Sequence, residues 1–442
     1  MKSKKQLILT SLTIKLLLYA LQYFVDYMFE DYDKSTELFE QEGRQSIIVQ
    51  FLKFTARWDS HFFIKIAFKG YEYEKKHAFL ETYPKFLQVI SNITQTLFNL
   101  DKFASILLAG FILNLFFNAA STVLLYKISK LKFPNMSDKF CYAVIILFQF
   151  TPSSAFFNAV YSESLFTFVI FLYLFLFYRK YQALPNSKKG TNLFTSITNY
   201  SFSLLPSVVL AFSVSVRSNG MIWVVVVGYP ILEAFILNLV NSAQGKFQYK
   251  VFFNTIFWGL LNIFFSLIPY IRVLLNAGSV YCQPAYFEEN PPWCQGFLPN
   301  IYNYIQDKHW NVGFMTYYTL NRVFCIIWGI YTFILISYYI KKYLYSLRQQ
   351  PDRLCIFSSG DMDSQMLYTI ILFFISVFFA HVQSSTRFFS SDPSLYWFLA
   401  DILFNHGQKK IPNTFSKILT ITYIVHFNIA GFFLYSNFYL WT

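Results

Sequence analysis

The 442-residue chain is 55% hydrophobic and only 13% charged, well below the share of about one quarter that soluble domains carry. This composition excludes an ordinary soluble enzyme, and no stretch is polar enough to form a separate water-soluble domain. The net charge of +13 does not indicate a nucleic-acid partner, because the lysines and arginines stand between apolar stretches, as they do beside an anionic bilayer. We therefore expect a single polytopic membrane domain over residues 1–442.

Apolar segments recur along the whole chain and predict an all-α protein with about eleven membrane spans. The first segment, Leu7 to Phe29, follows a lysine-rich start but is too long for a cleaved signal peptide. The other segments lie near 103–126, 140–157, 162–178, 201–216, 221–240, 251–276, 322–340, 365–385, 394–404 and 415–436. Two of them, 140–157 and 394–404, are short or broken by proline and serine and could be half-spans.

Lysine and arginine are unevenly divided between the two sides of the predicted membrane. Alternating the spans from a cytosolic amino terminus places 20 of these residues on loops of one side. The short loops of the other side hold three, Arg217, Lys308 and Arg387. The positive-inside rule makes the first side cytosolic. The long loops 30–102 and 277–321 then face the lumen or exterior, and we expect an active site there.

The first long loop contains a predicted interfacial helix. It can begin at Asp59 or Ser60 and end at Gly70, with Lys65 and Lys69 forming a polar stripe and apolar residues covering the rest. Asp59 would then lie at the membrane surface. Two interpretations of this carboxylate are open, a catalytic base and a simple N-cap.

Polar residues also mark two junctions between predicted spans. Glu163, after Ser162, can start a helix because a carboxylate in the first turn complements the helix dipole, or it can belong to a site. The segment Arg217–Gly220 is predicted to be a tight turn whose last two residues can take a positive φ. Arg217 could bind a phosphate or form a structural pair with a carboxylate.

Two further polar motifs lie on the same side. His381 and Arg387, after a predicted span, could cradle a lipid phosphate or merely complement the carboxyl end of a helix. Residues Tyr304–Phe314 mix aromatic and hydrogen-bonding side chains. That composition suits a bound sugar and equally suits an interfacial aromatic belt.

The second long loop contains two cysteines, Cys282 and Cys294, and an oxidising lumen favours a disulfide between them over free thiols. The other three cysteines should stay free, since Cys141 and Cys325 lie in predicted spans and Cys355 lies on the cytosolic side. The first long loop carries the sequon Asn92-Ile93-Thr94, so Asn92 is a candidate for glycosylation.

The sequence gives little support for a metal site or a cofactor site. The triplets Asp31–Asp33 and Asp361–Asp363 have the spacing that nucleotide-sugar enzymes use for a divalent metal, but neither lies in an α/β nucleotide-binding unit. They are better interpreted as solvated charge clusters. The chain also has no P-loop, GxGxxG, HExxH or GxSxG motif. We therefore expect no soluble cofactor and no metal site.

A set of short motifs, in order along the chain, resembles the GPI mannosyltransferase 2 family. The set consists of Arg57-Trp58-Asp59, the run Ala155–Phe166, Arg217–Gly220, Pro292-Trp293-Cys294, Tyr304-Ile305-Gln306, His309–Phe314, His381-Val382-Gln383, Thr386-Arg387-Phe388 and Leu440-Trp441-Thr442. Each motif alone is weak. Their order from the first loop to the last residue makes the set specific.

The resemblance implies a GT-C class glycosyltransferase of the endoplasmic reticulum membrane that works on the lumenal side. It implies transfer of mannose from dolichyl-phosphate-mannose, α-1,6-linked, to a GPI precursor glycolipid. A small companion membrane subunit, which fungal members use, is a further implied partner. A lipid or solute transporter and a non-catalytic membrane subunit remain the rival interpretations, although a transporter should show an internal repeat that this sequence lacks.

The same resemblance assigns roles to the candidate residues. A β-linked donor and an α-linked product imply a single inverting displacement, for which Asp59 is the predicted base and Glu163 the next candidate. The predicted contacts to the donor phosphate or sugar are Arg57, Arg217, Asn219, His381, Gln383 and Arg387. The predicted acceptor or sugar contacts are His61, Gln306, His309, Trp310 and Asn311.

Overall fold

A computed structural model describes residues 3–32, 46–182, 204–243, 249–283, 291–348, 362–404 and 414–439. These residues form α-helices linked by loops and short 3₁₀ segments. The helices of the first half are α1 Lys4–Met28, α2 Ile47–Leu52, α3 Ser60–Lys69, α4 Thr82–Phe98, α5 Lys102–Lys132, α6 Asp138–Gln149, α7 Ser154–Asn158 and α8 Glu163–Gln182. The second half contributes α9 Leu205–Val216, α10 Val224–Ala243, α11 Tyr249–Tyr281, α12 Ile301–Trp310, α13 Val323–Arg348, α14 Met362–Phe378, α15 Ser385–Phe389, α16 Pro393–Phe404 and α17 Thr414–Ser436.

Five described helices are long and apolar enough to cross a membrane, which makes the chain a multi-pass membrane protein. They are Lys4–Met28, Lys102–Lys132, Phe252–Tyr281, Leu320–Tyr345 and Thr414–Ser436. A perpendicular span needs about 20 residues, and several predicted segments form shorter helices. The expected count of eleven spans is therefore not confirmed.

Helix α16 shows how hydropathy can count a short buried helix as a membrane span. It has only 12 residues, and its apolar side chains from Leu395 to Ala400 are buried inside the protein. A helix that is apolar on every side can be apolar because protein surrounds it, not because lipid does. The predicted break in the segment 140–157 is present, because α6 ends at Gln149 and a separate short helix, α7, follows.

Helix α5 is the scaffold of the first half of the chain. It packs against α1, α4, α6 and α8. Its Asn114 donates a hydrogen bond of 2.7 Å to the backbone carbonyl of Ala159, so α5 fixes the segment that leads into α8. This contact sets the position of Glu163 at the start of α8.

The predicted helix of the first long loop is α3, and its bounds are confirmed. It runs from Ser60 to Lys69, and Gly70 ends it with φ +70°, a backbone conformation that suits glycine. Its apolar residues pack on the protein instead of facing lipid. Ile64 is fully buried, and the ring of Phe62 stacks on Phe79 with centroids 4.5 Å apart. The helix is therefore held firmly behind Asp59.

In the second long loop the Cys282 and Cys294 sulfurs are bonded, and their Cα atoms lie 5.7 Å apart. Trp293 packs beside this bridge against Ile301 and Ile305 of α12 in a small separate core. Cys141 and Cys325 form no bridge. Four other predictions fall on residues outside the described ranges: Cys355, Asp33, Asp361 and the terminal motif Leu440-Trp441-Thr442.

Candidate active site

Four charged side chains from distant parts of the chain meet at one point. Asp59 precedes α3, Glu163 opens α8, Arg217 follows α9 and Arg387 lies in α15. The Glu163 Oε1 atom accepts hydrogen bonds at 2.5 Å from Arg217 Nη1 and at 2.7 Å from Arg387 Nε and Nη2. Arg387 Nη1 lies 3.9 Å from Asp59 Oδ2. We call these four residues the charged cluster.

The two carboxylates of the charged cluster differ in exposure. The Glu163 side chain is 1% exposed, whereas 36% of the Asp59 side chain is exposed. Two guanidinium groups neutralise the Glu163 charge, so this carboxylate is a poor proton acceptor. Asp59 is the carboxylate that a substrate can reach.

Asp59 occupies the N-cap position of α3, but its side chain makes no capping hydrogen bond. Its backbone instead takes part in the local fold, because the Asp59 N–H donates to the Tyr161 hydroxyl at 2.9 Å. The Asp59 side chain therefore does not cap α3. The carboxylate stays available for chemistry.

Two tyrosines that the sequence analysis did not single out hold the backbone around Asp59. The Tyr435 hydroxyl of α17 donates to the Arg57 carbonyl at 3.1 Å and lies 3.2 Å from the Ser60 hydroxyl. Tyr161 lies under Arg387, whose guanidinium carbon is 5.1 Å from the ring centroid. Neither tyrosine carried a sequence signal of its own, since aromatic residues are abundant throughout this chain.

The surrounding protein displaces much of the water around the Asp59 carboxyl, although 36% of the side-chain surface stays accessible, and this desolvation raises its pKa. Arg387 opposes the shift, the neighbouring Glu163 charge adds to it, and Lys75 opposes it. Lys75 comes from the 3₁₀ segment Glu74–Ala78, and its Nζ lies 5.5 Å from the Phe62 ring centroid. No motif pointed to Lys75. A raised pKa is the property that a carboxylate needs to accept a proton from a hydroxyl.

Arg57 lies apart from the charged cluster. Its Nη2 forms ion pairs with Asp26 at 2.9 Å and with Asp31 at 3.3 Å, and its guanidinium lies 4.4 Å from the Phe438 ring centroid. Arg57, which was predicted to contact the sugar donor, thus joins α1 to the segment before Asp59. Among the described residues, no group of three His, Cys, Asp or Glu side chains could hold a metal ion.

The turn after α9 differs from the prediction. It is a 3₁₀ helix, Ser218–Trp223, and neither Asn219 nor Gly220 has a positive φ. Gly220 is needed for space, because a Cβ there would lie 2.9 Å from backbone atoms of Ser213 and Val214. The Asn219 side-chain nitrogen and oxygen are both buried without a hydrogen-bond partner in the described structure. This close approach to α9 places Arg217 against Glu163.

His381 and Arg387 share a sequence motif but have different surroundings. His381 Nε2 lies 2.7 Å from the Trp310 carbonyl oxygen, and that contact requires this nitrogen to carry the hydrogen. Burial lowers the pKa of His381, so the ring is neutral at pH 7 and is a weaker phosphate ligand than Arg387. The Gln383 Oε1 atom is buried without a partner in the described part of the chain.

The predicted acceptor contacts separate into two groups. The His61 ring is tilted against the Phe62 ring with centroids 4.3 Å apart, and the Phe62 centroid lies 6.4 Å from that of Trp310. These rings therefore lie together beside α3, which begins next to Asp59. Burial first, then Lys65 and Lys75, lowers the pKa of His61 to about 4, which leaves it neutral at pH 7.

The remaining three predicted acceptor contacts lie along or just after α12. Asn311 has φ +53° and forms its C-cap, a structural role. His309 is exposed, and the Gln306 side chain is half-buried. The structure therefore brings His61 and Trp310 close to the charged cluster, whereas Asn311 caps the end of α12.

The sequon residue Asn92 is exposed on α4. The Thr94 side chain that completes the sequon is 3% exposed, and its hydroxyl donates to the carbonyls of Ser91 and Ser105. A transferase cannot reach that hydroxyl in the folded helix, so glycosylation of Asn92 would have to precede the folding of α4.

Comparison with known proteins gives a family that covers the chain. The family model described as Mannosyltransferase (PIG-V) matches residues 4–442. GPI mannosyltransferase 2 of Schizosaccharomyces pombe is 26% identical over 84% of this chain and 70% of its own length. GPI alpha-1,6-mannosyltransferase 2 of Mus musculus is 25% identical over 88% of this chain and 87% of its own. The Homo sapiens protein of the same name is 28% identical, covering 79% and 73%.

A solved structure, the Archaeoglobus fulgidus oligosaccharyltransferase, aligns with 96% of this chain and 55% of its own. The TM-score is 0.36 at 9% sequence identity, too low to establish a shared fold.

Proposed function

This chain belongs to the Mannosyltransferase (PIG-V) family, and from that premise we propose that it transfers mannose, in α-1,6 linkage, to a GPI-anchor precursor. It is a mannosyltransferase of GPI-anchor biosynthesis. The donor proposed is dolichyl-phosphate-mannose, and the proposed setting is the lumenal side of the endoplasmic reticulum membrane in a GT-C type fold. A small companion membrane subunit is a further proposed partner.

One observation carries the mechanism, namely the accessible Asp59 carboxylate beside the guanidinium of Arg387. A transfer between two lipid-linked sugars needs a base for the acceptor hydroxyl and positive charge for the departing phosphate. The charged cluster supplies both within a few ångströms. Asp59 and Arg387 both lie outside the five candidate spans. This position suits a reaction between head groups that meet at the membrane surface.

The proposed step is a single displacement at the anomeric carbon of the donor mannose. The acceptor 6-hydroxyl oxygen forms the new bond to that carbon while the bond from the carbon to the phosphate oxygen breaks. The hydroxyl proton moves to the Asp59 carboxylate, and the electron pair leaves with dolichyl phosphate. Such a base contributes about 10² to 10⁴ in rate.

Arg217 and Arg387 are proposed to stabilise the leaving phosphate, which gains one negative charge in this step. A guanidinium has five N–H donors, and Glu163 occupies only one of those on Arg217 and two of those on Arg387. Glu163 then acts by holding both guanidinium groups in place. The base and the phosphate contacts are thereby separate groups with separate roles.

The decisive experiment measures mannose transfer by purified protein from dolichyl-phosphate-mannose to a one-mannose GPI precursor. Asp59→Asn keeps the shape but removes the proton acceptor, so turnover should fall by at least about 10² with unchanged protein abundance and donor binding. Asp101→Asn is the matched control, because the Asp101 side chain caps α5 through Ala104 and an asparagine caps equally well. Wild-type turnover by Asp59→Asn would exclude Asp59 as the base.

A further inference from the structure

A pocket with a volume of about 420 Å³ lies between the Cys282–Cys294 bridge and α12. Its lining residues are Pro292, Trp293, Gly296, Leu298, Asn300, Asn303, Tyr304 and Asp307. The lining combines ring and apolar surfaces with amide and carboxylate groups. None of these residues belongs to the charged cluster.

Two structural elements, the disulfide bridge and α12, hold the residues that line the pocket. The bridge anchors the 3₁₀ segment Pro292–Cys294, and the Trp293 carbonyl accepts the Asn300 N–H at 3.0 Å. Asn300, Asn303 and Asp307 follow one another at spacings of three and four residues, which places them on one face at the start of α12. All three are exposed.

The Trp293 indole is a further polar group among the residues that line the pocket. Trp293 is 5% exposed, and its Nε1 is buried without a hydrogen-bond partner among the described residues. A buried N–H group without a partner is costly, and a hydroxyl that enters the pocket can accept from it. The Tyr304 hydroxyl accepts from Lys308 at 2.8 Å, and its own hydrogen stays available to donate to a ligand beside the ring.

We propose that this pocket binds one ring of the acceptor saccharide that is remote from the reacting hydroxyl, an inference that rests on the proposed function. A sugar presents C–H faces that suit the aromatic surface and adjacent hydroxyls that suit amide and carboxylate groups. Asp307 is the only charged side chain among the lining residues that the structure describes. The pocket therefore favours a neutral or amine-bearing sugar over an anionic one.

The position of α12 links this pocket to the charged cluster. Trp310 follows Asn303 by seven residues, two helical turns, so both lie on one face about 10 Å apart. The ring of Trp310 lies 5.3 Å from Lys75, which acts on Asp59. Tyr302 of the same helix meets the hydroxyl of Ser218, the neighbour of Arg217, at 2.5 Å. A short oligosaccharide can therefore extend along α12 from the pocket toward Asp59.

The first test measures binding of free sugars to the full-length protein in nanodiscs by saturation-transfer NMR. The probes are mannose, glucosamine and glucuronate. The double variant Asn303→Ala, Asp307→Asn should bind mannose and glucosamine about 10-fold or more weakly, since it loses one amide group and replaces the charged acceptor at 307 with a neutral amide that forms weaker hydrogen bonds. Glucuronate should bind weakly to every protein. Equal binding of the neutral sugars by wild type and double variant would overturn the proposal.

The second test measures transfer kinetics. The double variant should raise KM for the acceptor about 10-fold, with kcat and the KM for the donor unchanged, because its residues lie away from the reacting atoms. Gln295→Ala is the matched control, an exposed amide of the same loop outside the lining. An unchanged acceptor KM in the double variant contradicts the proposal. Absence of transfer by the wild-type protein contradicts the proposed function instead. In that case the difference in sugar binding between wild type and the double variant still tests whether the pocket binds a sugar.

Discussion

Asp59 and Glu163 show how surroundings divide the work between two carboxylates. Both lie beside Arg387, but Glu163 is buried under two guanidinium groups and Asp59 keeps a third of its surface exposed. Sequence chemistry found both residues, and it left open whether Arg217 pairs with a carboxylate or binds a phosphate. The structure pairs it with Glu163. Local sequence could not supply this result, because the partners lie on helices far apart in the chain.

The pH dependence of transfer tests the environment of Asp59. A base works when deprotonated, so activity falls as the pH drops through the Asp59 pKa, which burial raises. Lys75 lowers that pKa, and Lys75→Gln should therefore raise it and move the acid-side loss of kcat/KM to higher pH. Lys85→Gln, at an exposed pair with Glu81, should leave the profile unchanged. An unshifted profile in Lys75→Gln would argue against Asp59 as the titrating base.

Glu163 is predicted to matter for stability as well as for activity. Glu163→Gln removes the charge that Arg217 and Arg387 share and leaves Arg387 with the more distant Asp59, a change that costs about 3 to 5 kcal/mol when a buried pair is broken. Glu81→Gln removes an exposed pair and should cost at most about 1 kcal/mol. Thermal unfolding of the detergent-solubilised variants measures the difference. Equal midpoints for the two variants would show that the pair adds nothing to stability.

At the scale of elements, the sequence predicted local boundaries well and contacts between elements poorly. Helix α3 has the expected limits because a polar start and Gly70 are local signals. Asn219 and Gly220 were predicted to be able to take a positive φ, but neither does, and Gly220 is instead required because a Cβ would not fit there. Space beside a neighbouring helix depends on tertiary packing, which one short motif does not encode.

The packing of this turn leads to a prediction about two glycines. Gly220→Ala places a Cβ 2.9 Å from the backbone of α9 and should destabilise the protein by about 1 to 3 kcal/mol while reducing transfer, because Arg217 moves with the turn. Gly228→Ala is the control, since its nearest new contact is Ile263 Cδ1 at 3.9 Å. Unfolding midpoints and transfer rates measure both effects. A Gly220→Ala protein that matches the control in both would refute the close-approach argument.

At the scale of the whole molecule, hydropathy alone does not give the number of membrane spans. Each predicted apolar segment overlaps at least one helix of the described structure, and five of the described helices are long and apolar enough to span a membrane. Hydropathy measures whether a residue avoids water and does not distinguish lipid from protein as the alternative. In a chain with 22% aromatic residues, buried short helices therefore resemble spans.

The predicted orientation of the molecule is testable in sealed microsomes. The excess of lysine and arginine on loops 127–139 and 341–364 predicts that protease added outside cleaves these loops and spares 30–102 and 277–321. Immunoblotting of the fragments, with detergent-opened vesicles as the control, measures this. Cleavage within 277–321 in sealed vesicles would reverse the predicted topology.

The contacts between the beginning and the end of the described chain bear on when the enzyme becomes active during its synthesis. The Tyr32 N–H donates to the Asn437 carbonyl at 2.9 Å, and Tyr435 holds the backbone next to Asp59. A ribosome makes α17 after every other described helix. The four residues of the charged cluster are therefore all synthesised while the Asp59 segment still lacks the Tyr435 hydroxyl. Completion of the site is expected to wait until α17 has been made and packed against this segment, so a nascent chain without α17 should not transfer mannose.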